Sequence, residues 1–166
     1  MAHQFTVFAT INNVSLDEFK RLAADITLHE KVCRRIPGEN IQILRSEKQG
    51  NIYTLERTYN LDVNIPDIAK KLLKDAFRLK RKDVSDLDAM TSVVELGANL
   101  PLEARCERQV TGDHQHIRFE LHWTVKVKVP LVAGMLERHA EGEIRKFSQI
   151  EISIIEDELR QNLAVA

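Results

Sequence analysis

The sequence predicts an α+β fold in which a curved antiparallel sheet of about seven strands wraps on one long C-terminal helix, with an apolar cavity between them. From His116 to Val129, apolar side chains (Ile117, Phe119, Leu121, Trp123, Val125, Val127, Val129) take every odd position and polar ones every even position. Strict period-two alternation over so long a run marks a strand with one buried and one wet face, and a strand of that length must coil to stay on a small domain. Pro130 closes it. Beyond it Leu136, Ala140, Ile144, Phe147, Ile150, Ile154 and Leu163 recur near the helical repeat, giving a helix of about 30 residues, roughly 45 Å long. Strands segregated from a terminal helix argue α+β rather than alternating βαβ units.

The remaining elements follow in order. Phe5 to Ile11 alternates as a first strand. Ser15 and Glu18 form a capping box, which starts a helix over Leu16–Ala24, and a second fits Thr27–Arg35 before Pro37-Gly38 breaks the chain. Ile41–Ser46 and Ile52–Leu61 pair as a hairpin around Gln49-Gly50-Asn51. Pro66 to Phe77 reads as helical. Arg78–Leu87, Met90–Leu96 and Leu102–Val110 complete the sheet as a meander, with turns at Gly97-Ala98-Asn99 and Thr111-Gly112-Asp113. Gly142 lies inside the long helix, either for close approach to the sheet or incidentally.

The bulk properties narrow the function. The 166 residues read as a single domain over 1–166, with 24 Lys+Arg against 25 Asp+Glu, so net charge gives no call for nucleic acid. The first residues lack the charged start and apolar run of a signal peptide, and no apolar stretch approaches the ~20 residues of a membrane span. A cytoplasmic protein is expected, with Cys33 and Cys106 as free thiols.

The run Lys126-Val127-Lys128-Val129-Pro130-Leu131-Val132-Ala133-Gly134-Met135-Leu136-Glu137 resembles the strand-to-helix junction of the bacterial domain-of-unknown-function family 2505. Val94-Glu95-Leu96-Gly97 with Leu100-Pro101-Leu102 resembles that family's glycine/proline hairpin. The resemblance extends over almost the whole chain. It implies the START-like, or polyketide-cyclase-like, helix-grip fold and a cavity able to hold a hydrophobic ligand, without implying an activity. Ala133 in place of the first turn glycine and a more charged Arg78–Asp88 depart from the pattern.

In such a fold the inward strand faces form the candidate site. Parity assigns to them Tyr53, Leu55, Arg57 and Tyr59; Met90, Ser92, Val94 and Leu96; Leu102, Ala104, Cys106 and Arg108; Phe119, Leu121, Trp123 and Val125. The helix offers Met135, Leu136, His139, Ile144 and Phe147. Ligand sites pair apolar walls with a few orienting polar groups. Arg57 is the polar group most out of place, since a buried guanidinium must be paired. It either grips the carboxylate or phosphate head of a ligand or pairs with an internal acid. Cys106, with no histidine at motif spacing, reads as a small buried hydrophobe. His139 and Glu143 are one helical turn apart and suit an ordinary contact. No phosphate loop, nucleophile elbow, metal set or cofactor motif is present, so no catalytic residue and no cofactor is expected.

One charge feature remains. Lys70, Lys71, Lys74, Arg78, Lys80, Arg81 and Lys82 gather within thirteen residues, with Leu72, Leu73, Ala76, Phe77 and Leu79 interleaved. As a basic amphipathic helix, Lys70–Lys82 suits peripheral contact with anionic lipid; as a solvated face it does nothing. Three functions follow: a carrier of a small hydrophobic ligand (a lipid or aromatic metabolite), a cyclase, dehydratase or hydrolase using Arg57, Tyr53, Tyr59 or His139, and a protein-interaction module.

Overall fold

The computed structural model describes residues 2–165. Strand β1 (His3–Asn12) is followed by helices α1 (Leu16–Ala23) and α2 (Ile26–Arg35). The strands β2 (Gly38–Gln49), β3 (Ile52–Leu61), β4 (Leu79–Asp86), β5 (Thr91–Ala98), β6 (Leu102–Gly112) and β7 (His116–Val127) come next, with one helical turn α3 (Asp67–Lys70) between β3 and β4. Helix α4 (Ala133–Val165) ends the chain. The sheet order is β1-β7-β6-β5-β4-β3-β2, with antiparallel neighbours throughout. The meander thus runs β2 to β7, and β1 adds to β7. Helices α1 and α2 carry the chain from one edge of the sheet to the other.

Local chemistry accounts for most boundaries. The Glu18 amide donates to Ser15 Oγ and the Ser15 amide to Glu18 Oε1, closing the capping box. Asp25 caps α2 by accepting the Thr27 amide. Ile117, Phe119, Leu121, Trp123, Val125 and Val127 are all buried, so the odd face of β7 is the floor of the core. The ladder stops at Val127, two residues before the alternation does. Leu102, the first residue of β6, pairs with Val127, and β1 begins opposite Val125, so neither neighbour extends further. The freed Val127 amide donates instead to the buried Glu137 carboxylate on α4, at 2.9 Å.

Helix α4 has 33 residues, about 50 Å at 1.5 Å per residue. Its Leu136, Ile152 and Leu159 are buried against the sheet. Nothing lies within 4 Å of a Cβ placed at Gly142, so that glycine serves no close approach.

The expected helix over Pro66 to Phe77 is a correction: only Asp67–Lys70 is helical, followed by turns. Of this turn only Ala69 is buried, while Ile68 and Leu72 are exposed; without a face to bury, so short a helix is not sustained. Asn99 also competes for the backbone. Its side chain accepts the Arg78 amide and donates to the Ala76 carbonyl, holding 76–78 against the β5–β6 turn.

Candidate ligand-binding site

A cavity of about 170 Å³ lies between the sheet and α4. Its floor is Phe119, Leu121 and Trp123 of β7 with Tyr59 of β3 and Leu96 of β5; its roof is Leu136, Ala140, Ile144, Phe147 and Ile152 of α4. Around the mouth stand Val63, Ile65, Pro66 and Leu72 on one side, and Leu100, Pro101 and Val129 on the other. Protein interiors are normally close-packed, and an apolar void of about 150 Å³ admits a benzene ring. The space therefore takes a ring or a short acyl segment.

Two residues of α4 fix one side of the mouth. His139 Nε2 donates to the Asn64 carbonyl, and Glu143 accepts the Asn64 amide at 3.4 Å. Spaced four apart on one helical face, they hold the same loop residue by both its backbone groups.

A second chamber of about 60 Å³ adjoins the first, and Ile36, Phe119, Arg108, Glu151 and Ile155 line both. Its other walls are Phe19, Leu28, His29, Val32 and Cys33 from α1 and α2, with Tyr53, Leu55, Arg57, Asp83 and Ser85 from the sheet. Between the chambers runs an internal ion network. Arg57 donates to Asp83 at 2.8 Å, and Arg81 donates to both Asp83 oxygens at 2.9 and 3.0 Å. Arg81 also donates to both Glu151 oxygens, at 2.6 and 3.2 Å. Arg108 stands 3.7 Å from Glu151 and donates to Ser92 Oγ at 3.0 Å, and the Ser92 and Ser85 hydroxyls are 2.8 Å apart.

Burial by itself would raise the Asp83 carboxyl, but Arg57, Arg81 and Arg108 together outweigh it and hold it well below the usual carboxylate range. The same contest at Glu151, burial against Arg81 and Arg108, also ends with the carboxyl lowered. Burial pushes the Tyr59 and Tyr53 phenols up and the His29 imidazole down, so both tyrosines and the histidine are neutral at pH 7. Burial likewise pushes the Cys106 thiol up to about 12.

The structure distributes the residues expected from the sequence over three places. Tyr59, Phe119, Leu121, Trp123, His139 and Phe147 line the large cavity. Tyr53, Leu55 and Arg57 line the small one, where Arg57 has the internal acid Asp83 as its partner. The polar groups considered for catalysis are therefore split, Tyr53 and Arg57 from Tyr59 and His139. Met90, Val94 and Cys106 line neither chamber. All three are packed in the core: Val94 and Cys106 because parity selects the face of a strand but not the position along it at which a helix lies directly on top, and Met90 from the turn that precedes β5, with φ 58°. Met135 is a correction of a different kind: it is 47% exposed, one helical position out of phase with the buried Leu136.

Arg81, Asp83 and Glu151 line the candidate site, and reading the basic run as a wet surface misses them. A signal was present: Leu79, Arg81, Asp83, Ser85 and Leu87 share one parity, and leucines at both ends of the set mark it as the inward face. Glu151, midway along α4, carries no comparable sequence signal.

Against known proteins, the model of the family described as "Protein of unknown function (DUF2505)" matches residues 7–157. The chain belongs to this family. No curated protein matches it in sequence. Among solved structures, this DUF2505 chain is similar to the Zhui aromatase/cyclase from Streptomyces sp. R1128, at 13% identity and TM-score 0.64, over 97% of this chain and 96% of that one. It is also similar to a START superfamily protein from Mycobacterium smegmatis, at 10% identity and TM-score 0.59, over 96% and 98% of the two chains. A third likeness is to norcoclaurine synthase from Thalictrum flavum, at 13% identity and TM-score 0.60, over 98% and 88%. These likenesses show the START-like helix-grip fold, which the geometry of sheet and α4 displays directly.

Proposed function

We propose that this DUF2505 protein binds and carries a small hydrophobic molecule, a lipid fragment or an aromatic metabolite, in the cavity under α4. The carrying observation is the void itself: about 170 Å³ walled mainly by apolar side chains from β3, β5, β7 and α4. Binding sites for organic molecules have that composition, with a few polar groups to orient the guest. Fold neighbours named aromatase/cyclase and norcoclaurine synthase support a small organic guest in the same space. Trp123 on the cavity floor supplies the readout. Native mass spectrometry of gently purified protein should find a co-purifying molecule, and a lipid and metabolite panel should quench or shift Trp123 emission and raise the melting temperature. If no compound co-purifies and no member of the panel moves either signal, the proposal is wrong.

A second reading, peripheral contact with anionic lipid, is favoured by one observation at the mouth. Ile68 and Leu72 on one side, and Leu131 and Met135 on the other, are exposed, and their two segments pack together through Ala69 and Leu136. Leu131 has φ 72° and stands fully exposed, a left-handed conformation that costs a branched residue about 1–2 kcal/mol. Lys70, Lys71 and Lys74 are exposed on the same segment as Ile68 and Leu72, Lys70 within 3.8 Å of Asp67, while Arg81 is drawn into the interior and Arg78 is engaged by Asn60 and Thr58. No helix among the described residues is long and apolar enough to cross a membrane. Co-sedimentation with phosphatidylserine-containing vesicles, abolished by Leu131→Asp, is the expected result; binding equal to that of neutral vesicles would remove this reading.

A further inference from the structure

We propose that the small chamber is an anion subsite, receiving the carboxylate of an amphipathic guest whose apolar part occupies the large cavity. This rests on the large cavity being a binding site. The first observation is a charge count. Three guanidinium groups, Arg57, Arg81 and Arg108, face two carboxylates, Asp83 and Glu151, which leaves one positive charge in the interior without a counterion. The nearby Glu30 does not redress this, because it accepts from Ser46 and pairs with Arg34 on the outer side. His29 faces the same chamber and is kept neutral by burial. An uncompensated charge out of water is strongly unfavourable, so the interior is electrostatically incomplete without one more anion.

The second observation is which donors are idle. The two carboxylates are occupied: Asp83 accepts three hydrogen bonds from Arg57 and Arg81, and Glu151 accepts two from Arg81. By contrast Arg57 Nε and Arg108 Nε are buried and have no partner. Arg57 is only 4% exposed. Both arginines line the small chamber, and Arg108 lines the large one as well. A guest lying across Arg108 would set its head beside the Arg57 and Arg108 guanidinium groups and its tail on Phe119. The chamber's 60 Å³ is several times the roughly 10–15 Å³ that one water needs, enough for a carboxylate and too little for a chain.

The unmodified protein decides the matter by comparison of octanoate, octanol, acetate and inorganic phosphate, read by Trp123 fluorescence and melting temperature at pH 7. Hydrogen bonds to charged groups are the strong ones, so octanoate should bind at least tenfold more tightly than octanol. Arg108→Gln should bring that ratio close to one, because octanoate loses far more affinity than octanol does. Equal affinity of acid and alcohol for the unmodified protein overturns the anion subsite and leaves the carrier reading standing. Failure of both to bind, alongside an inactive wider panel, overturns the two together. Acetate or phosphate protecting as well as octanoate overturns the amphipathic guest, since the tail would then add nothing.

Discussion

Arg81 on β4 and Glu151 on α4 form a two-point ion pair, at 2.6 and 3.2 Å, across the inner end of the cavity. The two side chains are only 12% and 14% exposed. The same guanidinium holds Asp83 with its remaining donors, so one arginine ties the helix to the sheet exactly where no apolar packing fills the gap. Removing one partner of such a pair leaves a buried charge uncompensated, at a cost of about 3–5 kcal/mol. Glu151→Gln should therefore lower the unfolding free energy by ~3 kcal/mol in urea melts. The double variant Arg81→Met with Glu151→Leu should recover most of that loss; no recovery would mean the pair contributes more than its own neutralisation.

Acid should unfold the protein in two stages. His29 has its imidazole lowered by burial, so the unfolded chain takes up the proton first, and stability declines as pH falls below about 6.5. Asp83 and Glu151 have depressed carboxyls in the folded state. Their contribution is full above the unfolded value near 4 and is lost as pH falls below it. Melting temperatures from pH 8 to pH 2 should show both declines, and His29→Gln should remove only the first. A flat profile from pH 7 to 5 in the unmodified protein would rule out the buried neutral histidine.

Gly142 carries a backbone cost with no packing return, since a Cβ there meets nothing within 4 Å. Alanine favours a helix interior over glycine by up to ~1 kcal/mol. Gly142→Ala should raise the denaturation midpoint by a corresponding amount and leave Trp123 emission unchanged. Gly112→Ala is the opposite case: its Cβ would sit 2.5 Å from the His116 carbonyl oxygen, so it should destabilise.

The His139 and Glu143 hold on Asn64 makes the 62–66 loop a fixed rim of the mouth. With His139→Ala, one of the two bonds is lost and the rim loosens. Guest association and dissociation rates should both rise severalfold in stopped-flow fluorescence, with a much smaller change in affinity. A rise in the dissociation rate alone, with a matching loss of affinity, would place His139 in contact with the guest instead.

Much of the fold was legible because it follows from local periodicity. The odd-position run of β7, the Ser15–Glu18 box and the helical repeat after Pro130 each depend on neighbours within one or two turns of chain, and each forms the expected element, β7 ending two residues short of its alternation. The segment 66–77 was not, because its apolar residues have helical spacing but only Ala69 is buried, and Asn99 from the next hairpin takes the backbone groups of Ala76 and Arg78.

The site divides in the same way. Sequence by itself determined the inward face of each strand, and so Tyr59, Phe119, Leu121 and Trp123, because side-chain alternation is a property of the strand alone. Only the tertiary structure decided that Met90, Val94 and Cys106 are covered while Tyr59 is left at a void, that Met135 turns outward, and that Arg57, Arg81 and Arg108 converge on Asp83 and Glu151. The physical reason is that a cavity, and a buried charge network beside it, are relations among strands β3 to β7 and α4. Their positions in space are set by how the sheet coils under the helix, which no single segment encodes.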